Sequence, residues 1–305
     1  MSNKKDLLSV TDLSRDETLQ IVRRARQMKG EGSGNPLMGK NIALLFEKPS
    51  LRTRTSFQVG IQQLGGYSVY LGQEEVGLGT REPAADVARV LSGYVDCIIA
   101  RVYSHHQLVE LARHATVPVV NALSDWEHPC QILADLLTLE EHWGGLEGRK
   151  LAYIGDGNNV ARSLCLALPP LGISVSFATP NGYNLDSGSL KLARRRAGPK
   201  AEVLSMADPS EAVKDAHAVY TDVWASMGQE AEAGLRRKAF KGYTVDPALM
   251  SQARPGALFM HDMPAHYGEE VPPGMLEHPQ SVAFEQAHNR LHAQKAVLEF
   301  VLDAG

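Results

Sequence analysis

Between about residue 41 and residue 265, short apolar runs alternate with stretches whose apolar residues return every three or four positions. The runs 41–46, Ser68-Val69-Tyr70-Leu71, Cys97-Ile98-Ile99-Ala100-Arg101 and Val117-Pro118-Val119-Val120 predict strands. A second set reads Lys150-Leu151-Ala152-Tyr153-Ile154, Ser174-Val175-Ser176-Phe177-Ala178, Ala218-Val219-Tyr220-Thr221 and Ala257-Leu258-Phe259-Met260. The intervening periodicity predicts helices from near Ser50, from Pro83 and from near His106. A longer helix is expected from about Pro129 to His142, stopped by Gly144-Gly145, and a last one from about Glu285 to Leu302. Strands that alternate with helices in this way imply an α/β fold of doubly wound domains with parallel sheets. At 305 residues the chain exceeds the usual size of a single core. The expected division is 1–144, 145–284, and a C-terminal helix over 285–305 that returns to the first domain.

One strand-to-helix junction carries unusual chemistry. Ser50-Leu51-Arg52-Thr53-Arg54 follows an apolar strand and Pro49, and Ser50 is a favourable helix cap. A helix N-terminus presents unpaired N–H groups and a partial positive charge, which suits phosphate. Arginines in that first turn oppose the helix dipole unless an anion sits there. The lysine-containing P-loop pattern is absent, so a nucleoside triphosphate is not the obvious ligand.

Composition narrows the class. A net charge of −4 with mixed signs offers no general field for nucleic acid or membrane. No signal peptide or membrane-length apolar run is evident. Cys97, Cys130 and Cys165 match neither a disulfide framework nor a zinc pattern, and a cytoplasmic location is the simplest expectation.

Five polar clusters follow strands: Arg101; His128-Pro129-Cys130-Gln131; Asn158-Asn159; Asp222-Val223-Trp224-Ala225-Ser226-Met227-Gly228; and His261-Asp262-Met263-Pro264. Ligands of open α/β sheets bind at this carboxyl edge, so the five are expected on one edge. Gly155-x-Gly157 suggests a dinucleotide fingerprint, but the third glycine and the acidic residue ending the next strand are missing. A dinucleotide-dependent oxidoreductase is therefore the different-class alternative. His261, Asp262, His266, Glu269 and Glu270 lack a metal-binding spacing, and no metal is expected. His128 reads as a binding residue or as a satisfied core histidine.

Together these residues resemble the aspartate/ornithine carbamoyltransferase family, its ornithine branch above all, over about Leu7 to Leu302. The resemblance rests on Phe46-Glu47-Lys48-Pro49-Ser50-Leu51-Arg52-Thr53-Arg54, Leu78-Gly79-Thr80-Arg81-Glu82, Arg101 and His128-Pro129-Cys130-Gln131. Ile154-Gly155-Asp156-Gly157-Asn158-Asn159 and the 222–228 stretch add to it. It implies two Rossmann-like domains, one for carbamoyl phosphate and one for ornithine, linked by helices that include the C-terminal one. It implies transfer of a carbamoyl group from carbamoyl phosphate to the δ-amine of L-ornithine, with no metal or organic cofactor. It further implies a homotrimer or multiple of trimers, in which Arg81 reaches a neighbouring site. By position, Ser50, Leu51, Arg52 and Thr53 hold phosphate, Arg101, His128 and Gln131 hold the carbamoyl group, and Arg290 completes the cationic shell. Asn159, Asp222, Ser226 and Met227 take the ornithine backbone end.

Amine attack on a carbamoyl carbon creates an oxyanion and expels phosphate, so donors and cations are what the site requires. Arg101, His128, Thr53, Arg52 and Arg290 supply them without a side-chain nucleophile. The family's His-Cys-Leu-Pro signature reads His261-Asp262-Met263-Pro264 here. Methionine for leucine is mild, because the backbone carbonyl is the implied contact with the donor. A carboxylate in place of the thiol favours the ammonium over the attacking amine. Three readings stand: Asp262 orients ornithine or acts as base with an alkaline optimum; the amine differs, as in putrescine or an N-acylated ornithine; or the protein binds carbamoyl phosphate with weak catalysis.

Overall fold

The computed structural model describes residues 4–225 and 230–303. Two compact units emerge, one of residues 1–137 and 288–305, the other of residues 138–287.

The first unit begins with α1 (Arg15–Glu31), which no strand–helix alternation announces but which Ser14 and Glu17 start with a reciprocal capping box. Thr18, Ile21, Val22, Ala25 and Met28 form its buried stripe. Then come β1 (Asn41–Phe46), α2 (Leu51–Gln63), β2 (Tyr67–Leu71), α3 (Gln73–Val76), α4 (Ala84–Leu91), β3 (Cys97–Arg101), α5 (His105–His114), β4 (Val119–Leu123) and α6 (Pro129–Trp143). The sheet is parallel with strand order β2-β1-β3-β4. The fourth strand overlaps the expected 117–120 and extends past it: Pro118 contributes only a carbonyl, to Ile98 N–H, and pairing continues through the buried Asn121. Ala43, Leu45, Ile98, Ala100 and Val119 pack with Ala88, Leu108 and Leu111 on one face of the sheet.

The second unit runs β5 (Lys150–Ile154), α7 (Asn159–Ala167), β6 (Ser174–Ala178), α8 (Ser187–Arg196), β7 (Val203–Met206), α9 (Pro209–Val213), β8 (Ala218–Thr221), α10 (Ala233–Ala239), α11 (Pro247–Met250) and β9 (Leu258–His261). Its parallel sheet has the order β7-β6-β5-β8-β9. The sequence pattern missed β7, an edge strand with only Val203 buried. A last helix, α12 (Ala283–Leu302), crosses from the second unit into the first, as α6 crosses from the first into the second. The expected α/β class with two doubly wound parallel sheets is what the chain forms.

In each sheet the strand order reverses once, between β1 and β3 in the first unit and between β5 and β8 in the second. A crevice opens at the carboxyl ends of strands flanking such a reversal. The five clusters therefore divide between two sheet edges rather than sharing one. No helix among the described residues is long and apolar enough to cross a membrane.

Candidate active site

In the first unit, the reversal brings the β1–α2 junction beside the end of β3. Ser50 caps α2, its hydroxyl accepting from Thr53 N–H at 3.2 Å. Leu51 is 79% exposed and Arg52 partly exposed, whereas Thr53 is buried, so only the last of the expected phosphate residues faces inward. Arg101 closes β3 at an irregularity in the register with β4, and it is buried. Bulges of this kind re-aim a side chain. His128 follows a tight turn in which Ser124 N–H donates to Glu127 carbonyl at 3.0 Å; its own carbonyl accepts the first helical bond of α6, from Gln131 N–H.

Arg290, on α12, joins these elements. Its guanidinium donates to Gln131 Oε1 at 2.6 Å and to the Thr53 hydroxyl. The local potential is cationic, and His128 registers it. Burial first, then the positive charges of Arg290 and Arg101, hold its imidazole well below the ordinary value of 6.5. His128 is thus a neutral ring beside two guanidiniums.

In the second unit the potential has the opposite sign. Asn158 caps α7, its Oδ1 accepting from Val160 N–H and Ala161 N–H at 3.0 Å each. Its amide donates to Asp222 Oδ2 at 2.6 Å, and Asp222 Oδ1 accepts from Val223 N–H at 2.7 Å. Asn158 is thus locked onto Asp222, and Asn159, the residue expected to bind ornithine, opens α7 beside it. Only glycine fits at position 157, because a Cβ there meets Leu185 N at 2.4 Å. Tyr153 is buried beneath, and burial with the charges of Asp222, Asp156, Asp262 and Glu270 raises its phenol well above 10. An anionic field of this kind suits a cationic amino acid. It also disfavours a pyrophosphate at α7, whose first-turn N–H groups Asn158 already occupies.

Asp262 follows β9, with its side chain 12% exposed and 3.6 Å from His261 Nδ1. His261 Nδ1 accepts from Met263 N–H at 2.9 Å, which leaves Nε2 as the protonated nitrogen, facing Glu270 Oε1 at 3.2 Å. Gln286 Oε1 accepts from His261 N–H at 3.0 Å. These bonds hold Met263 at a φ of +55°, a conformation uncommon for residues other than glycine. The sequence presents Glu270 only as a metal candidate and His261 as that and as the first residue of the signature; their role here is to support the Asp262–Met263 turn. Asp222, His261 and Asp262 lie within 4.8 Å of one another, as do His266, Glu269 and Glu270. Both ring nitrogens of His261 are already committed, and Glu269 is paired with Arg237 at 2.7 Å, so neither group is poised for a cation.

Among the expected site residues, Thr53, Gln131 and Arg290 are in direct contact, and Arg101 and His128 lie in the same unit. Asp222 and Asp262 come together in the other. Met263 lies beside Asp262, whereas Ser226 and Met227 lie outside the described residues. Arg81 donates to the carbonyls of Glu74 and Glu75, at 3.1 and 3.2 Å, and so caps α3 of its own chain.

The carbamoyl-P binding domain of aspartate/ornithine carbamoyltransferases matches residues 5–141, and the Asp/Orn binding domain of the same family matches residues 147–301. The chain belongs to the aspartate/ornithine carbamoyltransferase family. Among carbamoyltransferases similar to it, an ornithine carbamoyltransferase of Thermococcus kodakarensis is 50% identical, over 98% of this chain and 96% of its own. An anabolic ornithine carbamoyltransferase of Pyrococcus furiosus is also 50% identical, with the same coverage. The solved ornithine carbamoyltransferase from Pyrococcus furiosus superposes with a TM-score of 0.93 at 48% identity, over 98% of this chain and 97% of that one. The match to the family's second domain reaches Arg290, although that residue packs in the first unit.

Proposed function

We propose that this chain transfers the carbamoyl group of carbamoyl phosphate to the δ-amine of L-ornithine, giving L-citrulline and phosphate. The observation that carries the reading is the convergence of Arg290, Thr53 and Gln131, with the neutral His128, on the reversal point of the first sheet. Similarity to proteins named ornithine carbamoyltransferases supports ornithine as the acceptor.

The parts divide the work by charge. Ser50, Leu51, Arg52 and Thr53 receive the phosphate through α2 N–H groups and side chains, and Arg290 neutralises it. Arg101 and His128 donate to the carbamoyl oxygen as it becomes an oxyanion, while Gln131 and the Met263 carbonyl accept from the carbamoyl amide. A neutral histidine in this position donates without adding a third buried cation. Asn159, Asp222, Ser226 and Met227 take ornithine's α-amino and carboxylate end. The amine lone pair attacks the carbonyl carbon, the carbon–oxygen bond to phosphate breaks, and phosphate leaves with that electron pair. Asp262 orients the amine and accepts the proton it sheds. Preorganised donors and the positioning of two substrates account for the acceleration.

Self-association as a homotrimer, or a multiple of trimers, fits the exposed edge strand β2, where Tyr67 is 67% and Val69 47% exposed, and the nearby exposed Leu51. A cytoplasmic role in arginine biosynthesis completes the proposal. One observation favours a second reading: Asp262 in place of the signature cysteine alters the surroundings of the attacking amine and admits a different acceptor. Citrulline formation, compared with carbamoylation of putrescine, N-acetylornithine and aspartate across neutral to alkaline pH, separates the two. Turnover with ornithine alone supports the proposal, and preference for another amine contradicts it.

A further inference from the structure

Asp135 is fully buried on α6, one helical turn beyond Gln131, and the catalytic scheme above leaves it without a role. Its Oδ1 accepts from Gln131 Nε2 at 2.8 Å, while Gln131 Oε1 accepts from Arg290 Nη1 at 2.6 Å. The chemistry of the two partners dictates which way the amide faces. A guanidinium only donates, so it must meet the amide oxygen, and a carboxylate that accepts must meet the amide nitrogen. Reversing the amide places donor against donor at one end and acceptor against acceptor at the other, all within a buried site.

We infer that Asp135 is a specificity-determining positioning residue that fixes Gln131 as a hydrogen-bond acceptor toward the amide of the bound donor. This rests on the proposed function, because it deepens the reading of the carbamoyl phosphate site. Arg290 holds one lone pair of Oε1, and in the proposed site the second is the one a ligand N–H takes. A carbamoyl group has that N–H and an acetyl group has a methyl in its place. The site thereby discriminates carbamoyl phosphate from an acyl phosphate that carries no donor. In this reading Asp135 acts through Gln131 and touches neither substrate.

The test is calorimetric binding of carbamoyl phosphate and of acetyl phosphate to the full chain and to Asp135→Leu and Asp135→Asn. Thermal midpoints and ornithine-dependent turnover are recorded for each protein. Asp135→Leu should weaken carbamoyl phosphate about tenfold and leave acetyl phosphate within about twofold. Asp135→Asn keeps an oxygen acceptor and should recover most of the discrimination. Proportional weakening of both ligands, or no change in either, overturns the inference, since a general structural role moves them together. If the parent chain makes citrulline yet binds both phosphates equally, the inference fails and the proposed function stands. If the parent chain binds no carbamoyl phosphate, both fail.

Discussion

The depressed basicity of His128 has a measurable price in acid. In the unfolded chain its imidazole takes up a proton around the ordinary value of 6.5, whereas in the folded chain burial, Arg290 and Arg101 keep it neutral well below that. The unfolded state therefore binds more protons as the pH falls, and the folded state loses stability from about pH 6.5 downward until the depressed value is reached. For one such group the loss between pH 7.5 and 5.5 is about RT ln 10, or about 1.4 kcal/mol. Because His128 is only 3% exposed, solvent screening calls for little discount. Other groups also differ between the folded and unfolded states, such as Asp156, which burial raises despite its pairing with Arg236. They are shared by parent and variant, so a comparison with His128→Gln isolates the histidine. Chemical denaturation at the two pH values should show the parent losing about 1.4 kcal/mol more than the variant. Equal losses in the two proteins would refute the neutral-histidine account, and with it the idea that two guanidiniums set the potential of this site.

Arg290→Lys keeps the charge but cannot span Gln131 and Thr53 together, and it should lower kcat by a hundredfold or more in a citrulline assay. Gly157→Ala forces a Cβ against the backbone at Leu185 and Asn184, within 2.4 and 2.5 Å. It should cost about 2 kcal/mol or more in chemical denaturation, because those contacts are main chain and cannot swing aside. Asp262→Cys removes a carboxylate that favours the ammonium form of the acceptor, so the kcat–pH profile should move toward lower pH. An unmoved profile would sink that role for Asp262. Asn158→Ala removes both the α7 cap and the amide that holds Asp222; it should raise KM for ornithine while calorimetric binding of carbamoyl phosphate stays unchanged.

The alternation of apolar runs and helical periodicity made the class legible, since the central parallel strands β1, β3, β5 and β8 are buried on both faces and read as continuous apolar segments. β1 and β3 fell where the pattern placed them. β7 escaped because an edge strand with one buried residue has no such run. α1 is signalled by Ser14 and Glu17, but it lies outside the strand–helix alternation. The Ser50–Arg54 turn was recognisable because cap, hydroxyls and arginines are adjacent in sequence. The Gln131–Arg290 contact joins residues 159 positions apart, and only packing brings them together. The support that His261 and Glu270 give Met263 depends on which ring nitrogen accepts, a matter of geometry with no sequence signal. Asn158 and Asn159 show the limit most plainly: two identical neighbours, of which the helix start selects one as the cap and the partner of Asp222.

The most direct test of the central claim is the stoichiometry of the reaction in purified protein. Phosphate release and citrulline, the latter measured by mass spectrometry, should appear one for one, and only when carbamoyl phosphate and L-ornithine are both present. Phosphate release without citrulline, or release indifferent to ornithine, would contradict it.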